Sequence, residues 1–275
     1  MRILHIWNTA GVASVIAKFM DRLFGTKSLV VHRRAFDPFG VTTYGELWDC
    51  GAKTFALKCL VLARKFDIIH IHSFDKLIPY LKFLYPNKPI VLHYHGSDIR
   101  GKWLQKEKRW SKADAILYST QDVVNEETPK IAIYSPNPVD ADLFYPSSNA
   151  EYTKKIAFHI RYNADDLAEK YAAKYGLKLV LHDRKDAIPH KKLPEILRKY
   201  EYYVDVKRDP YGHLLKSLSK TGLEALACGL KVIRWDGEII EGFPEEHKPE
   251  NVVQKIYEIY RDVIGGRRYG VSEFR

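Results

Sequence analysis

The sequence predicts an α/β protein built of two tandem halves, each with a parallel sheet covered by helices. Three observations lead there. Short β-branched runs alternate with helix-spaced segments along nearly the whole chain. One stretch rich in Pro, Ser and Asn, residues 135–149, interrupts the alternation and reads as a linker. A polar turn, a short helix and a buried strand then follow each other over residues 217–233. A helix start bearing hydroxyls, a lysine and free N–H groups is a natural seat for a phosphate.

The elements of the first half come in order. Residues 2–7 read as a strand. Residues 12–24 read as a helix, with Val12, Ile16, Phe19, Met20 and Leu23 on one side. Strands are expected at 28–32, 67–72, 88–95, 113–119 and 131–134, and helices at 55–64, 77–84 and 101–111. Beyond the linker the alternation restarts. Strands are expected at 155–159, 177–182, 202–206 and 231–234, and helices at 165–174, 192–200 and about 249–264. The tail from Gly265 through Arg268 is expected to fray. The domains are therefore drawn at 1–147 and 148–275. Both halves read as Rossmann-like, the second smaller.

Composition bounds the function. A chain of 275 residues with 46% apolar content can bury a real core. Scarce Gln, two Met, three Cys and abundant Lys, Arg and Glu fit a thermophile. Cys50, Cys59 and Cys228 are odd in number and lack a C-x-x-C pair, so neither a disulfide framework nor a structural zinc site is expected. They read as buried thiols in a reducing cytosol. Residues 1–8 are too short and strand-like for a signal peptide, and no apolar run could span a bilayer. The expectation is a cytoplasmic protein, at most peripheral at a membrane. The net charge of +10 favours nucleic acid, anionic lipid or phosphorylated small molecules. No RNP-like strand, zinc-finger spacing or recognition helix supports nucleic acid.

In open parallel sheets, ligands bind beyond the carboxyl ends of the strands. Those ends carry residues 8–11, His72 and Ser73, residues 95–98, Ser119 and Thr120, and residues 217–221. Small and polar side chains gather there, facing an expected cleft between the halves. Ser219 can cap the helix and Gly229 end it. The backbone around Ser219 and Thr221, with Lys220 and with Lys216 or Arg161, would seat a phosphate. Glu224 would bind a ribose, and Gly11 would let the first loop approach a substrate closely. Each has a plainer reading: a solvated helix residue for Glu224, a surface lysine for Lys220, a tight turn for Gly11. Asp98 reads as a cap for the following helix or a sugar contact. Asp165 and Asp166 suit a helix start.

Two further patterns stand out. His70 and His72 share one strand face, as do His93 and His95. On neighbouring strands the four could converge, and with Asp75 or Asp98 they would resemble the ligand set of a metal-dependent hydrolase. Hydrogen-bonded interior histidines are the plainer reading. Residues 101–110 are basic and aromatic. Trp103 and Trp110 would share a helix face, either resting on anionic lipid or filling a core. Residues 32–51 read as an acceptor loop or a connector.

The layout resembles the GT-B glycosyltransferases, specifically family 4. Residues 67–73, 92–98 and 113–119, then Asn137, Pro138, Val139 and Asp140 with Phe144, Tyr145 and Pro146, are similar to successive family segments. Residues 224–233 are the most specific match. The resemblance implies a compact GT-B fold, with parallel sheets facing a cleft and a last helix, about 250–264, that returns to the first domain. It implies transfer from a nucleotide diphosphate sugar, as donor substrate and with no cofactor or metal, to a saccharide or lipid-linked acceptor hydroxyl. Retention of configuration, acceptor binding by the first domain, donor binding by the second, and His95 facing the sugar are also implied. The chain departs in two places. The family separates two glutamates by seven residues; here Glu224 is the second and Lys216 holds the first position. Arg161 stands loosely for the family's Gly-Arg loop. These departures keep a catalytically inactive relic, binding a sugar nucleotide or a partner, among the expectations.

Overall fold

The computed structural model describes residues 1–147 and 153–266. Residues 148–149 of the linker and 267–268 of the tail lie outside the described residues. The chain forms two compact units, Met1–Pro138 with Pro249–Arg275, and Val139–Lys248. The division falls earlier than the composition of the linker suggested. The reason is packing: Val139 and Phe144 are buried in the second unit's core with Leu197, Tyr203 and Leu226.

The first unit holds β1 (Arg2–Ile6), α1 (Val12–Phe24), β2 (Lys27–Arg33), β3 (Glu46–Trp48), α2 (Ala52–Ala63) and β4 (Ile68–His72). It continues with α3 (Ile78–Leu84), β5 (Ile90–Tyr94), α4 (Glu107–Trp110), β6 (Ala115–Tyr118) and β7 (Ala132–Tyr134). The second unit holds β8 (Thr153–Ile160), α5 (Asp165–Lys174), β9 (Lys178–His182), α6 (Leu193–Leu197), β10 (Tyr200–Val204), α7 (Lys220–Ala227), β11 (Lys231–Ile233) and β12 (Ile239–Ile240). The last helix, α8 (Pro249–Ile264), belongs to the first unit. Two Rossmann-like units in tandem, with the final helix returned to the first, reproduce the GT-B order of elements.

The first sheet runs β3-β2-β1-β4-β5-β6-β7 and is parallel throughout. Every residue of β4 and β5 is buried, as a parallel strand covered on both faces requires. One face packs on α2 and α3 through Phe55, Cys59, Ala63, Ile78 and Leu81. The other packs on α1 and α8 through Ile16, Phe19, Met20, Val253, Ile256 and Tyr260. The strand order reverses between β1 and β4, a topological switch point. The second sheet runs β12-β11-β10-β8-β9, with β12 antiparallel, and switches between β8 and β10.

Several sequence expectations need correction. The helix expected at 101–111 breaks into a 3-10 turn at Leu104–Lys106 and the four-residue α4. Trp103 is fully buried, and its Nε1 donates to the Val123 carbonyl at 2.9 Å. Trp110 Nε1 donates to the Trp103 carbonyl at 2.7 Å. The two indoles therefore bind their own fold and do not form a shared lipid-facing stripe. The helix expected at 192–200 shrinks to α6, and β10 begins at Tyr200. The short strand β3 falls in the segment read as an acceptor loop or connector, and β12 in one where the sequence predicts no element.

Ile256→Ala should cost about 2–5 kcal/mol in urea unfolding, because it opens a cavity between α8 and the sheet. Exposed Glu258 serves as the control: Glu258→Ala should stay within about 0.5 kcal/mol of wild type. Equal midpoints for the two variants would show that α8 contributes little to this core.

Candidate functional site

Two groups of polar residues lie at the carboxyl ends of the two sheets, one in each unit. In the second unit the centre is the start of α7. Ser219 is the N-cap, with extended backbone, and its Oγ accepts from the Gly222 N–H at 3.0 Å. The same hydroxyl donates to Asp205 Oδ1 at 2.6 Å, and the Ser219 N–H donates to Asp205 Oδ2 at 2.7 Å. Asp205 is buried just beyond β10, and a Cβ at Gly222 would collide with its carboxylate. The fold has thus placed its own anion against this helix start. Ser219 is engaged by that carboxylate, which would repel a phosphate seated on the same atoms. A phosphate at this helix start would therefore meet Lys220, Thr221 and their backbone rather than Ser219.

Glu224 follows one turn into α7 and is only 2% exposed. It is not a solvated helix residue. His190, from the turn before α6, is bonded through Nε2 to Glu224 Oε1 at 2.9 Å. Lys220 is half-buried. Burial pulls its ammonium below the ordinary lysine range, while Glu224 and buried Asp140 push it back up. Lys216 is exposed. Arg161 lies just past β8, across the switch point from Asp205 and α7, and its Nε pairs with Asp165 Oδ2 at 3.1 Å. Asp166 pairs with Arg208, so both acids at the start of α5 have cationic partners. His190 and Asp205 were missed in the sequence, and Asp140 was noted there only as part of a family-like segment; the expected strand at 202–206 enclosed Asp205, whereas β10 ends at Val204 and leaves it just beyond.

In the first unit, Gly11 adopts the left-handed conformation with φ 77° as the N-cap of α1. A Cβ there would come to 3.1 Å from the Val41 carbonyl. Asn8 closes this turn: its Oδ1 accepts from the Ser14 N–H at 3.2 Å, and its Nδ2 donates to Thr42 Oγ1 at 3.1 Å. Asp37 accepts from the Val41 and Thr42 N–H groups at 2.7 and 3.0 Å. The connector between β2 and β3 is therefore folded back over the first loop. Gly11 serves that close approach of backbone to backbone.

His95 belongs to a cluster of five histidines, four of them linked by hydrogen bonds directly or through Ser119 and the fifth, His70, joined by ring contacts. His5 Nδ1 lies 3.2 Å from His72 Nε2, and His72 Nδ1 lies 3.0 Å from His95 Nε2. Ser119 Oγ joins His95 Nδ1 at 3.2 Å and His93 Nε2 at 2.7 Å. His70 Nδ1 meets the Tyr260 hydroxyl at 2.5 Å. Register explains the clustering: His5 pairs with His70, and His72 with His93, across parallel strands. His5 is the member the sequence reading missed; the period-two face of β1 was the available signal. His5, His70, His72 and His93 are fully buried, and His95 is half-buried. Desolvation holds His5 down at about 3 and the other three buried rings well below the ordinary imidazole range. These four buried rings are neutral. His5, His70 and His72, and likewise His72, His93 and His95, bring one potential ligand atom each within 4.8 Å of the others. Neither Asp75 nor Asp98 belongs to these groups. Asp98 accepts from the His95 and Gly96 N–H groups at 3.0 and 2.8 Å, closing the turn after β5, where a cap on a following helix was expected.

No family model and no curated protein sequence matches the chain. Solved structures resemble it at low identity. S. aureus MnaA with UDP is 14% identical, with 98% of this chain and 92% of that chain covered and a TM-score of 0.48. The glycosyltransferase VinC with dTDP is 8% identical over 98% and 92%, also with a TM-score of 0.48. Acinetobacter baumannii MurG is 10% identical over 98% and 93%, with a TM-score of 0.42. Likeness at this level does not carry a function from one chain to another. Among the described residues, no helix is long and apolar enough to cross a membrane.

The histidine cluster sets a pH dependence. An imidazole kept neutral in the fold titrates near 6.5 once unfolded, so the unfolded state binds more protons below that pH. Stability should be flat above about pH 7 and should fall as pH drops from 6.5 toward 3. Each buried histidine should contribute a slope of about 1.4 kcal/mol per pH unit. Urea titrations from pH 8 to 4.5 measure it; a flat profile would mean the rings charge freely in the folded state.

Proposed function

We propose that the protein is a glycosyltransferase of the family 4 type, moving a sugar from a nucleotide diphosphate sugar to an acceptor hydroxyl. The donor binds the second unit and the acceptor the first. The observation that carries the reading is Glu224: a buried carboxylate, oriented by His190, one turn from a half-buried lysine at the carboxyl edge of a parallel sheet. A carboxylate oriented by a histidine through one oxygen suits a ribose hydroxyl as acceptor.

The chemistry follows from charge. As the glycosidic bond to the diphosphate breaks, negative charge grows on the leaving oxygen. In this proposal Lys220, the first N–H groups of α7 and the Thr221 hydroxyl would stabilise that charge, with Lys216 and Arg161 as outer cations. Asp205 opposes an anion at Ser219 and would shift the diphosphate toward Lys220. His95 has both ring nitrogens engaged, so it is proposed as a polar wall for the sugar. Its 3.2 Å contact with Ser119 is long enough for a substrate hydroxyl to replace. Retention of configuration and operation without a metal are part of the proposal and follow the family resemblance. So is a lipid-linked acceptor at a membrane surface, as one alternative to a soluble saccharide.

Calorimetry with UDP, GDP and dTDP tests the donor site. Glu224→Ala should weaken the best nucleotide by about 1–3 kcal/mol, since it strands a ribose hydroxyl and His190 together. A variant that binds every nucleotide as wild type does would remove the ribose role. Nucleotide binding without release of free diphosphonucleoside, across varied sugars and acceptors, would favour the inactive relic.

The two histidine triads favour a second reading, a metal-dependent hydrolase. Neutral imidazoles suit zinc and its neighbours, and His5 Nε2 and His70 Nε2 are buried with no hydrogen-bond partner among the described residues. Against it, no carboxylate joins either triad to offset a dication. Metal analysis after dialysis separates the readings. The transferase predicts well under one equivalent of zinc; one tightly held equivalent, lost in His72→Ala, would promote the hydrolase.

A further inference from the structure

We propose that the first unit receives its acceptor through an anionic group, a phosphate or carboxylate, in a cationic, aromatic-walled pocket at the switch point between β1 and β4. The acceptor role rests on the transferase reading; the anion seat does not. The cavity measures about 340 Å³, enough for a sugar phosphate or a lipid headgroup. Its cations are Arg33, Lys76, Lys106 and Arg109, and its one carboxylate is Asp75. The lining thus carries a surplus of three positive charges.

Asp75 works as an organiser of those cations. It is buried, and it accepts from Lys106 Nζ at 2.7 Å, Arg109 Nη1 at 3.3 Å and the Tyr94 hydroxyl at 2.9 Å. One carboxylate cannot neutralise two cations, so a second anion is favoured beside them. Arg33 adds a charge held by neutral partners. Its Nε donates to the Cys50 carbonyl at 3.0 Å and its guanidinium lies 4.8 Å from the Phe36 ring centre. A planar guanidinium positioned this way suits bidentate binding of a phosphate or carboxylate.

The opposite wall is aromatic. Trp7 stacks on Phe74 with ring centres 5.4 Å apart and lies 5.1 Å from Phe36. Such a wall accepts the apolar face of a sugar ring or the first carbons of a lipid chain. The backbone is strained at this place. Trp7 and Ser73, which directly follow β1 and β4, have φ of 76° and 62°. Left-handed conformations at non-glycine residues cost of order 1–3 kcal/mol and gather at ligand sites. Hydrogen bonds from the Trp7 N–H to the Val31 carbonyl and from the Ser73 N–H to the His93 carbonyl, both 2.9 Å, hold the strain in place. Strain, charge surplus and switch point coincide within one cavity.

Titration calorimetry on the full chain, at low ionic strength and without donor, tests the seat. The probes are decyl phosphate below its micelle concentration, glucose 6-phosphate, and neutral decyl glucoside. At least one phosphate should bind tenfold or more tightly than decyl glucoside, and added salt should weaken it. Tighter binding of decyl phosphate points to a lipid-linked source; tighter binding of glucose 6-phosphate points to a free sugar phosphate. The double variant Arg33→Gln with Lys76→Gln should lose at least tenfold, while the exposed pair Lys170→Gln with Lys178→Gln should bind as wild type does. Circular dichroism melts confirm that the variants fold. Equal binding of charged and neutral probes, no binding of either phosphate, or equal losses in both double variants would overturn the proposal. UDP, GDP and dTDP titrated into the same samples report the donor site separately. Their failure to bind would sink the transferase reading and leave the anion seat standing.

Discussion

A parallel sheet buried on both faces has nowhere to place polar chemistry except its ends, and this constraint organises both units. In the first sheet the two faces are sealed by α2 and α3 on one side and by α1 and α8 on the other. Polar side chains that must meet a ligand therefore collect where strands give way to loops, and most of all where neighbouring loops diverge at the switch points. Trp7, Ser73 and Asp75 lie at one switch point, Arg161, Asp205 and α7 at the other. Departures from ordinary backbone conformation and charge pairing fall in the same places.

Charge in this protein is managed by internal carboxylates. Asp75 gathers Lys106, Arg109 and a tyrosine hydroxyl; Asp205 gathers the cap of α7; Asp37 folds a connector over the first loop. Each acid orients donors and leaves them partly satisfied. At Asp75 the balance leaves excess positive charge. At Asp205 it leaves a negative group at a helix start that the sequence marked for a phosphate. In both places the carboxylate is met by donors drawn from distant positions in the sequence.

The elements were legible because their signals are local. The spacing of Val12, Ile16, Phe19, Met20 and Leu23 locates α1, and the acidic start of α5 and the amphipathic run of α8 locate those helices. The segment around Trp103 was misread because its periodicity suits a helix, whereas burying an indole that must reach the Val123 carbonyl demands a broken turn. The strands β3 and β12 are too short to carry a pattern. For the site, Glu224, Ser219 and Gly11 were visible by type and position. Their partners were not: His190 is 34 residues from Glu224 and Asp205 is 14 from Ser219. Such pairings are set by strand order and register.

The histidine cluster shows how register turns a sequence pattern into chemistry. Alternation alone places His70 with His72 and His93 with His95. Only the register of β1, β4 and β5 adds His5 and brings the rings into one cluster. Once there, the buried rings must be neutral, because burial without a carboxylate partner makes an imidazolium too costly. Neutral rings can relay a hydrogen-bond direction from the interior toward His95, and they can also accept a metal. They cannot supply the positive charge that a departing diphosphate or an anionic acceptor requires. That task passes to lysines and arginines at the sheet edges, where water keeps them charged, and so the cationic groups and the histidines serve different ends of the same architecture.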